Sequence, residues 1–356
     1  MAYFNYDEIA SALQLLANQH PDLAGLLTPP NLTTESRRVQ AITIGRNDGA
    51  ARPTVIVVGG IHAREWVPPD ALICLAADLL EAGTAGTGLR YGSAHFDAAT
   101  IAGMLDSLQI AILPCANPDG RVYSQEVDPD WRKNRRPMPN QNGQISYGVD
   151  INRNFDVAWD FRRYFAPGAV SASSDPNHKY LYVGPAAASE PETRNIMWLL
   201  DNLPETRWFI DVHSAIPAVF HSWGLDSNQT ADPQQNFLNP AFDGVRGNPD
   251  DSYGEFIKAA DLDIVHRLAR TMKDTVTLVA GDNYEVGPAF ELYATSGASD
   301  DYAYSRHLAH SGSPKIFGFT MECGHEFQPD GGGRETVIKE VCAALLAFCK
   351  DINSTS

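Results

Sequence analysis

Cysteine is scarce in this sequence, and what there is does not pair. Five residues in 356 (Cys74, Cys115, Cys323, Cys342 and Cys349) are too few, and odd in number, for a disulfide framework. Cys342 and Cys349 lie seven apart in a helical pattern, about 10 Å at 1.5 Å per residue, which no bridge spans. Free, buried thiols are the expectation. Basic residues are also in deficit: 27 Lys and Arg face 44 Asp and Glu, a net charge of −17. No basic stripe is present, which argues against a nucleic-acid partner. The acidity fits a solvated surface or attraction of cationic substrates. No apolar run approaches the ~18 residues that a membrane span needs. The first residues, Met1 to Glu8, lack the charged and apolar regions of a signal peptide. No membrane association is expected, while a cytoplasmic and a secreted mature form both remain open. Internal repeats and low-complexity tracts are absent as well.

What is present is the material of a large core. Hydrophobic residues make up 44% of the chain and charged residues 20%, a globular composition. No Pro/Ser-rich linker cuts the sequence, so residues 1–356 are expected to form a single domain, acting as a monomer. Apolar positions at helical spacing predict a helix from residue 6 to near Pro21. Thr54-Val-Ile-Val-Val-Gly-Gly-Ile-His62 reads as a buried strand running into a turn. A helix over 70–81 follows, with Asp70 as its N-cap after Pro68-Pro69. Strands are predicted over 108–114, 207–213 and 316–322, helices over 189–202, 261–273 and 335–350. Asn117-Pro-Asp-Gly120 reads as a turn, and 121–188 as long surface loops. The stretch 225–255, full of Asn, Asp, Pro and Gly, reads as a long loop of the kind that tends to be functional. Short apolar strands alternating with helices indicate an α/β fold, with a mixed, mainly parallel central sheet flanked by helices on both faces.

Two of the strand-like runs end in histidine. His62 follows one and starts His62-Ala-Arg-Glu65; His213 ends Arg207-Trp-Phe-Ile-Asp-Val-His213. A His-x-x-acid arises about once by chance in a chain of this composition, so its placing carries the weight. Two imidazoles and a carboxylate are the ligand set of a catalytic zinc ion with one position open for water. Strand C-termini are where open α/β sheets build sites. Other residues suit the same chemistry. Asp150 is placed either to orient a ligand imidazole through its second nitrogen or to cap its own turn. Asn152 and Arg153 offer an amide and a planar fork for a carboxylate. Arg132, in Trp131-Arg-Lys-Asn-Arg-Arg136, is either an oxyanion stabiliser or part of a solvated basic patch. Glu322, at the end of an apolar strand, is a general base or half of a buried ion pair. Tyr293 is a mobile phenol donor or a packing residue. His307-Leu-Ala-His310 reads as a surface pair on a helix rather than a second metal site.

Taken together, His-Ala-Arg-Glu-Trp, Trp-Arg-Lys-Asn-Arg, Gly-Val-Asp-Ile-Asn-Arg-Asn-Phe, Asp-Val-His-Ser and Tyr-Ala-Thr-Ser-Gly-Ala-Ser-Asp-Asp-Tyr resemble, in order, the motifs of the zinc metallocarboxypeptidases of the carboxypeptidase A/B type. The resemblance runs from about residue 5 to 350. It implies one zinc ion held by His62, Glu65 and His213, with Asp150 supporting His62. It further implies that Glu322 activates water, that Arg132 assists the scissile carbonyl, and that Asn152, Arg153 and Tyr293 bind the terminal carboxylate of a peptide or protein. Arg64 and Ser214 fall at outer-subsite or supporting positions. Asp300, seven residues after Tyr293, resembles the selector of enzymes that remove C-terminal Lys or Arg; its alternative role is to cap the helix beginning near 300, and mixed specificity is the other outcome. The chain departs from the animal digestive enzymes at Ala215, at Cys323-Gly324 after Glu322, in the 225–255 loop, and in having no pro-domain within this sequence. Two rival readings stand beside this one: a zinc amidase or deacylase acting on N-acyl amino acids or cell-wall peptides, and a non-catalytic zinc-bearing binding module.

Overall fold

The structure, a computed structural model, describes residues 3–139 and 143–354. Along the chain the strands are β1 (Ala24–Leu27), β2 (Ala41–Ile44), β3 (Thr54–Gly59), β4 (Leu89–Tyr91), β5 (Ala94–Phe96), β6 (Gln109–Leu113), β7 (Pro137–Pro139), β8 (Ile145–Tyr147), β9 (Thr206–His213), β10 (Ala218–His221), β11 (Gln229–Thr230), β12 (Glu255–Phe256), β13 (Glu285–Pro288) and β14 (Phe317–Glu322). The helices are α1 (Tyr6–Gln19), α2 (Val67–Ala85), α3 (Ala98–Ser107), α4 (Pro118–Glu126), α5 (Phe161–Tyr164), α6 (Pro191–Asn202), α7 (Ala259–Ala280), α8 (Ser299–Ala309) and α9 (Gly331–Ser354). None of the described helices is long and apolar enough to cross a membrane.

Eight strands form one mixed sheet in the order β1-β2-β6-β3-β9-β14-β10-β13, and the rest pair off as β4–β5, β7–β8 and β11–β12. The central run β6-β3-β9-β14 is parallel throughout. All six residues of β3 are buried, the continuous apolar pattern of a strand covered on both sides. The pleat shows where the covers lie. A Cβ on Gly318 would meet the Asp300 carbonyl oxygen at 2.1 Å, so α8 rests directly on that side of β14. Phe319, on the opposite side by the period of two, packs edge-on against Phe348 of α9 with ring centroids 5.3 Å apart. Helices therefore cover both faces, as the alternation of elements predicts.

Several local expectations are corrected. Asp70 is not an N-cap: α2 begins at Val67 after Trp66, with the prolines in its first turn, where missing N–H groups cost nothing. Asp70 instead lies buried, accepting from Phe4 N (3.2 Å) and Arg121 Nη2 (3.0 Å). Asn117-Pro-Asp-Gly120 is a helix start rather than a free turn. Asn117 Oδ1 accepts from Gly120 N (2.9 Å) and Pro118 opens α4, so the loop region begins later than its lack of periodicity suggests. The helix read as 261–273 runs over Ala259–Ala280 and ends at Gly281, whose φ of +82° suits glycine. All five cysteines are free, four of them buried.

The 225–255 stretch is irregular, as expected, yet it is knit around one buried guanidinium. Arg246 donates to the carbonyl oxygens of Asn236 and Phe242 (both 2.9 Å) and to Tyr253 Oη (3.1 Å), and lies 3.4 Å from Glu255 Oε2.

One buried carboxyl in α6 makes stability depend on pH. Glu192 is fully buried; Asn134 Nδ2 donates to its Oε2 (3.0 Å), and its Oε1 finds no partner. Burial pushes its carboxyl up to about 8. A raised carboxyl stabilises the fold below the ordinary carboxylate range and loses that contribution as pH climbs through the folded value. Glu192→Gln keeps an acceptor for Asn134 and removes the titration. We expect its melting temperature to lie close to the parent's near pH 5 and above it at pH 8, by on the order of 2 kcal/mol in unfolding free energy. A difference that stays constant across this range would contradict the assignment.

Candidate metal centre and substrate site

Because β3, β9 and β14 are parallel neighbours, their C-terminal ends share one edge of the sheet, and that edge holds the site. His213 is the last residue of β9 and Glu322 the last of β14; they stand opposite one another in register. His62 lies just beyond β3, after a turn in which Gly60 has φ +66° and leaves only 3.0 Å between a hypothetical Cβ and Pro69. Glycine is thus needed to bring the His62 segment back over the strand ends.

His62, Glu65 and His213 converge, all three buried. His62 Nδ1 is 2.8 Å from Glu65 Oε1, His213 Nδ1 is 3.0 Å from Glu65 Oε2, and the two Nδ1 atoms are 2.9 Å apart. A tetrahedral zinc ion holds its nitrogen and oxygen ligands roughly 3.3 Å from each other, so these spacings fit such an ion with little movement. Both Nε2 atoms face carboxylates on the far side, Asp150 for His62 (3.2 Å) and Asp211 for His213 (2.8 Å). Two rings protonated at Nε2 point two Nδ1 lone pairs and a carboxylate at one spot, an arrangement that a cation resolves and a hydrogen bond does not. Among the described residues this is the only such cluster; His307 and His310 take no part in one. Burial pushes the Glu65 carboxyl up, but the two imidazoles outweigh it and hold it well below the usual carboxylate range. Ser214 supports it, donating its backbone N–H to Glu65 Oε2 (3.2 Å).

Asp150 touches both groups that its two candidate roles require. Its Oδ1 accepts from Asn152 N (3.1 Å), capping the single 3-10 turn Ile151–Arg153, and the same oxygen faces His62. Its Oδ2 accepts from Arg132 Nε (3.1 Å) and Nη2 (3.0 Å). Burial works to raise this carboxyl, yet Arg132 and His62 outweigh it and keep it ionised. Arg132 is itself buried, as are Lys133 and Asn134, so the basic run is not a solvated patch. Arg135 stacks on Tyr123, Trp131 and Tyr147, and Arg136 pairs with Glu190.

The remaining candidates divide into unspent and committed groups. Glu322 is buried with no ion pair among the described residues, and its Oε2 has no hydrogen bond. Burial pushes its carboxyl up to about 7. Arg153 is anchored by the carbonyls of Ser171 (2.8 Å) and Asn152 (2.6 Å), which leaves Nη2 buried and unpartnered. Tyr293, 37% exposed, sits with its ring 5.5 Å from that guanidinium. Asn152 Oδ1 is taken by Ser299 N (2.8 Å), so its amide offers donors rather than an acceptor. Arg64 is committed, bonded to Asp130 (2.9 Å) between the rings of Phe327 and Tyr180. Asp300 does not cap α8: the N-cap is Ala298, without a side-chain bond. It is buried and its Oδ2 lacks a partner.

Asp211 is the residue that the sequence reading passed over. The signal was available, since an acid inside Trp208-Phe-Ile-Asp-Val-His213 lies on the same strand face as the histidine two residues on.

The profile described as zinc carboxypeptidase matches residues 9–342. Carboxypeptidase B of Astacus astacus is 29% identical over 99% of this chain and 99% of its own length. Mast cell carboxypeptidase A of Rattus norvegicus is 28% identical over 87% of this chain and 62% of its own length; the chain spans about three fifths of that relative. Among solved structures, bovine thrombin-activatable fibrinolysis inhibitor, in complex with tick carboxypeptidase inhibitor, shares the fold at a TM-score of 0.74 with 19% identity, covering 100% of this chain and 99% of that one. Carboxypeptidase A from Helicoverpa armigera does so at 0.66 with 22% identity, covering 99% of this chain and 72% of that one. With the family profile spanning nearly its whole length, this chain belongs to the zinc carboxypeptidase family.

Proposed function

We propose that this protein is a zinc-dependent carboxypeptidase, a single catalytic domain that hydrolyses the peptide bond before a free C-terminal residue and prefers Lys or Arg there. One observation carries the reading: the three-residue cluster stands in one site with two unspent groups, Glu322 Oε2 and Arg153 Nη2. A cluster that only bound metal has no use for either.

Held by His62, Glu65 and His213, zinc supplies Lewis acidity toward the carbonyl and makes a nearby water easier to deprotonate. Glu322, its carboxyl lifted to about 7 by burial, takes a proton from the attacking water and returns it to the leaving amine, a task suited to a group titrating near neutrality. Arg132 is fixed by Asp150 with its charge beside the cluster, where it stabilises the oxygen of the tetrahedral species. Arg153 receives the substrate's terminal carboxylate, helped by the Asn152 amide and the Tyr293 hydroxyl; a guanidinium nitrogen with no partner in the free protein gains a charge-assisted bond when substrate arrives. Asp300 supports the basic preference. Its buried, unpartnered oxygen suits an ammonium or guanidinium and penalises an apolar side chain, which leaves the charge unmet.

The test is kcat/KM on matched N-blocked dipeptides ending in Arg and in Phe, each as free acid and as amide, with and without a zinc chelator. We expect cleavage of the free acids only, lost on chelation, with Arg ahead of Phe by tenfold or more. Cleavage of neither free acid would overturn the carboxypeptidase reading; Phe ahead of Arg would overturn the role of Asp300 alone. Within the same assay, Asp300→Asn should narrow the Arg-to-Phe ratio to within about threefold, a loss of at least ~0.7 kcal/mol of discrimination. Glu322→Gln should retain stoichiometric zinc and lose about 10²-fold or more in kcat. A Gln variant turning over at the parental rate would remove Glu322 as the base.

A further inference from the structure

We propose that Asp211 is a positioning residue of the metal centre: its carboxylate takes the Nε2–H of His213 and holds that ring with its Nδ1 lone pair turned toward His62 and Glu65. The inference rests on the zinc reading and goes beyond it, since it assigns the second imidazole a carboxylate of its own.

The placing follows from the strand. Asp211 and His213 are two positions apart on β9, with Val212 between them, so the pleat sets both side chains on one face. Asp211 Oδ2 lies 2.8 Å from His213 Nε2. The approach is bent from the line of an ideal hydrogen bond, but Nε2 has no other partner, so this carboxylate is the one group placed to take its proton. Ser299, the first residue of α8, holds the carboxylate from the other side, its Oγ donating to the same Oδ2 at 2.6 Å. Asp211 thus spans from the metal cluster to the helix that carries Asp300.

Its surroundings require such a role. Asp211 is completely buried, flanked along the strand by Phe209, Ile210 and Val212, and Oδ1 has no hydrogen-bond partner. Among the described residues no Lys or Arg lies within ion-pair distance of it; His213 is its only potential cationic partner, while Asp300 and Glu322 stand close enough to repel it. A buried carboxylate in that setting is strongly destabilising unless a partner offsets it. Asp150 differs, because its charge is shared among His62, Arg132 and the Asn152 N–H. Apart from the Ser299 hydroxyl, Asp211 faces one imidazole alone, fixing its tautomer and raising its basicity as a ligand.

The experiment compares the full-length parent with Asp211→Asn, Asp211→Ala and His213→Ala. Zinc affinity is read by competition with a chromophoric chelator, and the ring N–H protons of the zinc-loaded protein by NMR with selectively 15N-labelled histidine. The parent should bind one zinc and show two exchange-protected imidazole N–H protons on ligand rings. Asp211→Asn, isosteric and uncharged, should bind zinc 10- to 100-fold more weakly and lose protection at His213 while keeping it at His62, with circular dichroism unchanged. Asp211→Ala should weaken zinc at least as much; should it fail to fold, the Asn variant decides alone. Parental zinc affinity together with a protected His213 N–H in Asp211→Asn would overturn the proposal. A parent that binds no zinc, with His213→Ala indistinguishable from it, would instead overturn the zinc reading on which the proposal stands.

Discussion

The site depends on a charge imbalance kept out of water. Glu65, Asp150, Asp211, Asp300 and Glu322 are all buried at one edge of the sheet, and the guanidinium groups near them are Arg132 and Arg153. In a low-dielectric interior, unpaired carboxylates either find a cation or take up protons. Both happen here. Asp150 stays ionised against Arg132, whereas burial pushes Asp300 and Glu322 upward. The convergence of two Nδ1 lone pairs on Glu65 concentrates the remaining deficit at one point. A divalent cation at that point would satisfy the cluster, provided the fold that buries these groups also holds them in place.

Sheet topology supplies the holding. The parallel run β6-β3-β9-β14 delivers its strand ends to one edge, so that a ligand and the proposed base arrive from adjacent strands in fixed register. His62 comes from the turn after β3, and Asp150, Asn152 and Arg153 from a single 3-10 turn far along the chain. α8 closes the arrangement, with Ser299 N on Asn152 and Ser299 Oγ on Asp211. The strand-end residues and the loop residues are therefore tied to each other as well as to the cluster.

Much of this was legible in the sequence, for identifiable reasons. The continuous apolar runs of β3, β9 and β14 announce doubly covered strands, and a histidine or glutamate at the end of each is conspicuous against that background. The five motifs fix the family because their order is improbable as a set. Less legible were elements whose burial is polar. α4 buries Asp119, Arg121 and Ser124, so it lacks the periodicity that betrays a helix. The short strands β1, β10 and β13, at or next to the sheet's edges, carry too few residues to declare a period. Asp70 and Arg121 satisfy each other across elements, which no local cap rule anticipates. Asp211 is marked in the sequence only as an acid two positions before His213, a weak signal beside the motifs that contain the metal-ligand candidates.

The knot around Arg246 bears on how the 225–255 stretch behaves. Its bonds reach Asn236, Phe242, Tyr253 and Glu255 from one side chain, while Asp226 ties the near end to Gly247 N at 3.0 Å. A long irregular segment ordinarily frays residue by residue. One organised around a single buried guanidinium opens as a unit, because releasing any spoke leaves the charge partly unsatisfied and loosens the rest. Its amides should accordingly share one opening free energy in hydrogen exchange, so that this wall of the protein acts as a single hinged panel and not as a set of independent flaps.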